Sequence, residues 1–278
     1  MKGPFWKDER FRSAVRSPGL MIGLVIVAFW IVCALFGTRL APMDPYADNL
    51  RAALSPPSAA HWFGTDKLGR DILSRVIVGA RDILSVGLLA TLLGTVCGTA
   101  LGLAVGYLGG VFDSAVSRLI EALQALPLVI VALIALAAVG TSNLTVILVT
   151  GFAFTPLVAR TVRSAVRIEA AMDYVAAAQL RGDKALTIML VEILPNVVPL
   201  VVVEMTVRLG FAIFFVASLS FLGFGIQPPS ADWGVAIAEN YSLIASYWWT
   251  VLFDAMAIAS LVIGFNLAAE GAQKVLDL

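Results

Sequence analysis

An all-α integral membrane protein of six transmembrane helices is what the sequence predicts, on three observations. Hydrophobic residues make up 60% of the 278-residue chain and charged ones 14%, against about 25% charge in soluble domains. The apolar residues gather into runs long enough to span a bilayer, which takes about 20 helical residues. The runs alternate with polar stretches punctuated by Pro and Gly.

In chain order, residues 1–18 form a polar, basic N-terminal segment of amphipathic character (Lys2, Lys7, Arg10, Arg12, Arg16). A first, uncleaved span is expected at 19–38. Residues 39–82 are a long polar loop ending in a re-entry helix that lies along the membrane, with Asp66 placed to cap its start. The core, 83–268, begins with a second span at 83–107. There Gly94, Gly98, Gly102 and Gly106 recur every four residues, so they share one helix face and admit a close helix neighbour. A third span, bent or thinned at Pro127, is expected at 119–139 and a short fourth at 144–158. After the polar stretch 160–196 a fifth span covers 197–224. A cap at 225–247, rich in aromatics suited to the membrane–water boundary, precedes a sixth span at 248–267 and a tail at 269–278.

Six spans put both termini on one side. The N-terminal segment and the 160–196 loop (Arg160, Arg163, Arg167, Arg181, Lys184) carry basic residues, whereas 225–247 has no Lys or Arg. By the positive-inside rule both termini and that loop are cytoplasmic.

Within this loop, DYVAAAQLRGDKALTIMLVEILPN (173–196) predicts a helix interrupted at Gly182, then a second short helix stopped at Leu194-Pro195. The resulting bent knuckle suits docking to a partner protein. Glu204 and Arg208 lie mid-span at i,i+4 spacing, where they can pair. Intramembrane charges are costly and often functional, so the two either line a polar passage or pair against a neighbouring helix. Asp254 and the Arg118/Glu121 pair read as boundary features. Cys33 and Cys97 sit in apolar runs and need no disulfide. A sole histidine, His61, excludes a histidine metal cluster within one chain. No phosphate loop, HExxH, thiol cluster or serine–histidine pair is present. An enzyme reading, a metal site, a cofactor in this chain and a nucleic-acid partner therefore have no support.

Several motifs together, GTDKLGRDILSRVIVGAR (64–81), GYLGG (106–110), SLSFLGFGIQPP (218–229) and DWG (232–234), closely resemble the inner-membrane permeases of dipeptide/oligopeptide/nickel-class ABC importers. More narrowly, the chain looks like the second permease of those heterodimers, from about Gly19 onward. The resemblance implies a type I importer permease fold. It also implies a cytoplasmic coupling helix and a place in the bacterial cytoplasmic (inner) membrane among lipid. The implied partners are a second permease subunit, two ATPase subunits that bind ATP and Mg, and an extracytoplasmic solute-binding protein.

The family's coupling motif, EAA-x3-G-x9-I-x-LP, is matched at Ala177, Ala178, Gly182, Leu194 and Pro195. Ala176 stands in place of its glutamate and Glu192 in place of its isoleucine. Val216 and Glu270 are further departures, and the chain ends at Asp277-Leu278, short of the usual DP. The resemblance assigns ATPase coupling to Asp173, Tyr174, Ala176, Ala177, Ala178, Gln179, Arg181, Gly182, Asp183 and Lys184. The translocation path falls to Glu204 and Arg208. Binding-protein contact falls to the outer loop and cap, with Asp66, Arg70, Asp71, Asp232 and Trp233. Two rival classes remain: an ion-coupled secondary carrier, which would want more midplane carboxylates and leaves the knuckle without purpose, and a non-conducting structural subunit.

Overall fold

Residues 18–276 are described in a computed structural model of the chain. The basic segment before Pro18 and the terminal Asp277-Leu278, both singled out from sequence, lie outside the described residues. Long helices make up the fold: α1 Pro18–Leu40, α2 Ile72–Leu108, α3 Gly110–Gln124, α4 Leu128–Val139, α5 Asn143–Glu169, α6 Asp173–Leu180, α7 Ala185–Phe221, α8 Trp233–Asn240 and α9 Trp249–Leu276. No named strand occurs among the described residues.

The centre is the pair α2 and α5. Gly94 lies against Gly151 and Phe154, Gly98 against Thr155 and Val158, Gly102 against Ala159 and Val162, and Gly106 against Arg163 and Val166. Position numbers rise together on both helices, so α2 and α5 run parallel. Parallel neighbours need a return crossing between them, and only α3 and α4 are available to make it. They do so as a broken span: the two segments meet at 87°. The bend expected at Pro127 in the third span is present as a full elbow, and the span begins at Gly110 rather than at 119. Pro127 caps α4, because proline cannot continue the ladder and restrains the residue before it.

Other boundaries also differ from expectation. The re-entry helix and second span are one 37-residue helix, since nothing between Ile72 and Leu108 breaks a helix. Its N-cap is Asp71, whose carboxylate accepts from the Ser74 backbone N–H. Asp66, the expected cap, instead closes the preceding turn. The fourth span reaches Glu169, well past 158, carrying its arginines beyond the apolar part. Leu194-Pro195 does not stop the knuckle's second helix. A wide turn over Ile188–Ile193, in which the Leu194 N–H donates to the Met189 carbonyl, instead carries α7 on without a stop into the long run from Leu194. Proline at the head of that run removes a donor where the ladder has already slipped by one residue.

α1 and α9 pack antiparallel outside this core, with Gly23 against Gly264 and Ala268. The start of α1 and the end of α9 thus lie at the knuckle end. Opposite are the loop 41–71 and the cap. α1 carries a dense run of exposed large apolar side chains from Met21 to Leu40, as lipid contact requires.

A Cβ at position 98 would come within 2.6 Å of the Val158 Cβ and 2.9 Å of the Thr155 carbonyl. Gly98→Ile should therefore destabilise the fold by about 1–3 kcal/mol through overpacking. Thermal unfolding in mild detergent checks this; an unshifted midpoint would show that the seam is not tightly packed.

Candidate functional site

Two polar constellations sit at opposite ends of the α2–α5 pair, and a third lies within the bundle. The first is the knuckle. On α6, Val175 and Ala178 are buried in an apolar cluster with Val162 and Val166 of α5 and Ile188 and Ile193 of α7. Asp173, Ala176, Ala177, Gln179, Leu180 and Arg181 are exposed. The Tyr174 hydroxyl donates to Glu169 at 2.6 Å and accepts from the Asn196 amide at 3.1 Å. Burial and then the Glu169 carboxylate push its pKa up to about 12, so it stays a donor. Gly182 has φ +81°, a left-handed conformation that glycine tolerates best. The exposed Arg181 guanidinium bridges Asp183 and Glu192, each at 2.8 Å. Glu192, the departure from the coupling motif, thus ties the two arms together. Lys184 is exposed at the N-cap of the second arm.

Leu180 was missed from sequence, although it is 90% exposed. It follows Asp173, Ala176 and Ala177 at i+7, i+4 and i+3, the spacing of one helix face, and that spacing is the signal that could have found it.

At the opposite end is a buried ionic framework. Asp66 accepts from the Leu68 and Arg70 backbone N–H groups, each at 2.9 Å, and from Arg70 Nε at 2.6 Å. Arg70 in turn reaches Glu239 at 2.6 Å. His61 Nδ1 lies 2.9 Å from Asp71. Arg75, also unnoticed in sequence, is 2% exposed. It donates to the Pro45 carbonyl at 3.2 Å and the Ser230 carbonyl at 3.1 Å, so one guanidinium holds loop, α2 and cap together. Trp233 donates to the Val76 carbonyl at 3.0 Å and meets Trp30 edge-on. Asp232 caps α8 through the Val235 N–H at 2.9 Å.

These placements correct the expectation of direct binding-protein contact. Asp66, Asp71, Asp232 and Trp233 are buried within the chain and Arg70 is mostly so. They face inward because each satisfies backbone or ionic partners that would otherwise be buried unpaired. Asp254, near the start of α9 and so at this same end, is likewise buried.

Glu204 and Arg208 do pair, at 2.6 Å, with side chains 13% and 24% exposed. They share a stripe of α7 with Phe211 and Phe215, which pack against Phe154 of α5. Among the described residues no group of three or more His, Cys, Asp or Glu could hold a metal ion.

A multi-pass helical membrane subunit, with a polar framework at one end and a projecting short helix at the other, is the class this arrangement defines. The chain belongs to the family of binding-protein-dependent transport system inner membrane components, which it matches over residues 98–278. Residues 5–57 match the N-terminal transmembrane domain of oligopeptide transport permease C. It is 36% identical to the dipeptide transport system permease protein DppC of Bacillus subtilis, over 98% of this chain and 85% of that one. Identity to the Escherichia coli DppC is 38%, over 94% and 89%. To the probable D,D-dipeptide transport system permease DdpC of Escherichia coli it is 34%, over 98% and 93%. The chain is thus a permease subunit of a transport system and not itself an enzyme.

Burial holds the Asp232 pKa up at about 6, partly opposed by the Val235 N–H. A carboxyl raised on folding contributes stability that is full below its unfolded value, about 3.9, and is lost as pH rises through the folded one. Local protection of α8 amides, corrected for intrinsic exchange, should therefore fall between pH 4 and 7. Asp232→Asn, which can still cap, should abolish that dependence; an unchanged pH profile in the variant would disprove the assignment.

Proposed function

We propose that this chain is one of two permease subunits of an ATP-driven importer of peptides or related small solutes. The reading places it in the bacterial cytoplasmic membrane with both termini and the knuckle cytoplasmic. The partners are a second permease, two ATPase subunits that bind ATP and Mg, and an extracytoplasmic binding protein that docks on the loop-and-cap face. Peptide cargo is carried over from the relatives' names.

The observation that carries the coupling role is α6. One face is clamped to the ends of α5 and α7, while Leu180 and the exposed residues around it are left uncovered. A short helix held this way transmits force because its clamped face cannot shift without moving the bundle, which is what rigid-body switching requires. ATPase closure would press on this helix, and the α2–α5 pair would carry the displacement to the loop-and-cap end. Glu204 and Arg208, partly accessible on α7, are proposed to line the path.

Gly182→Pro should leave the chain in the membrane but uncouple ATP hydrolysis from uptake. Proline cannot adopt φ +81° and removes the N–H that donates to Gln179. Leu180→Asp should instead lower recovery of the ATPase subunits with the tagged chain by about tenfold, the loss of one anchoring side chain. Normal substrate-stimulated ATPase and uptake in the first variant, or full ATPase recovery in the second, would refute the coupling role. For the path, Glu204→Gln should reduce uptake several-fold while the complex still assembles; equal loss of both would make the pair structural.

A further inference from the structure

A cavity of about 810 Å³ opens between the α3–α4 elbow and α5, lined among others by Gln124, Pro127, Phe152, Ala153, Pro156 and Leu157. Its volume falls within the range of about 300–1,000 Å³ of small-molecule sites. The walls are almost wholly apolar, and of the polar groups in them Thr145 is satisfied by Ser142 whereas Gln124 is satisfied only in part. Gln124 Nε2 is buried without any hydrogen-bond acceptor. Pro156, inside α5, has no N–H for the Phe152 carbonyl one turn earlier, and both residues line the cavity.

The elbow itself is unusual at this depth. α4 has 12 residues and is about 18 Å long, short of the roughly 30 Å hydrocarbon layer. One of its ends therefore lies inside that layer. Non-helical backbone is tolerated there only within protein or beside a polar cavity, and broken helices in transport proteins surround bound solute.

A well-fitted occupant supplies a hydrogen-bond acceptor for Gln124 and apolar bulk for the walls, and the charge outside favours a negative group there. The last follows from Arg160, one turn beyond Pro156. It donates to Gln124 Oε1 at 3.2 Å and has no acidic partner among the described residues. An acyl chain alone offers only bulk, and a phospholipid adds ester carbonyls and a phosphate; the broken helix, which in transport proteins borders bound solute, favours cargo over lipid. A small peptide offers all three: apolar side chains, a peptide carbonyl and a terminal carboxylate.

We propose that the elbow cavity is a peptide subsite on the translocation path, with the apolar side chain inside, Gln124 on the peptide carbonyl and Arg160 near the carboxylate. This rests on the importer reading above.

The test is uptake by the whole importer complex in proteoliposomes, each variant expressed as a ratio to wild type so that binding-protein preference cancels. Ala153→Phe fills the cavity and should cut leucyl-leucine uptake about tenfold more than alanyl-alanine uptake, the scale on which pocket size discriminates. Gln124→Leu keeps the volume, removes the donor, and should lower uptake of both about tenfold. A leucyl peptide carrying a diazirine should label residues 145–157 in the wild-type complex.

Equal ratios for the two peptides in Ala153→Phe, or labelling elsewhere, overturn the subsite while wild-type uptake keeps the importer reading intact. Recovery of a tightly held phospholipid that Ala153→Phe expels, with both uptakes unaffected, overturns it in favour of lipid. Absence of uptake of either peptide by an assembled, ATP-hydrolysing wild-type complex sinks the peptide importer reading and the subsite with it.

Discussion

Everything in this chain depends on how closely α2 can approach α5. In a bilayer, lipid tails are as apolar as leucine, so helices associate through packing contact rather than through exclusion of water. Four glycines on one stripe of α2, Gly94 to Gly106, let backbone meet side chain and backbone of α5 over roughly three helical turns. No larger residue could preserve that contact. The seam also dictates topology. Because the two helices run parallel, the chain must cross back between them, and the short, Pro127-capped α4 with its elbow is how it does so.

The two ends of the seam answer to different physics. At the loop-and-cap end, charged groups are buried and must be paired. Asp66, Arg70, Glu239 and Arg75 satisfy one another and the backbone, fixing loop 41–71, α2 and α8 as one body. Such a network is weak evidence for net stability, since desolvation offsets much of the attraction; its clear effect is geometric. At the knuckle end the ion pairs of Arg181 are exposed and worth little individually. There the work falls to apolar contacts of Val175 and Ala178, which seat α6 while leaving its other face open. On the proposed reading, a rigid body at one end and an open docking face at the other are what a coupled permease needs.

Some of this was legible in the residues. The glycine period, the knuckle around Gly182 and the Glu204–Arg208 pair are local patterns, governed by helical spacing within one segment. Errors came where the course of the folded chain decides what a side chain meets, whether its partners are near or far in sequence. Asp232 and Trp233 look like outward-facing cap residues until Val76, Val235 and Trp30 are found around them. Asp66 and Asp71 are both plausible caps, and only the course of the turn decides between them. Leu180 was overlooked because apolar residues are the rule in this chain, so one more carried no signal until the rest of its face proved exposed.

Composition, the spacing of apolar runs and the Gly and Pro punctuation determine by themselves that this is a helical membrane protein with a projecting knuckle, because each follows from transfer energies and helical period. The tertiary structure alone decided how sharply the third span turns at its bend, that Arg75 joins loop to cap, and that a cavity opens beside Gln124. These depend on contacts between segments up to 155 residues apart, and nothing in the local sequence encodes which distant backbone carbonyl a buried arginine will find.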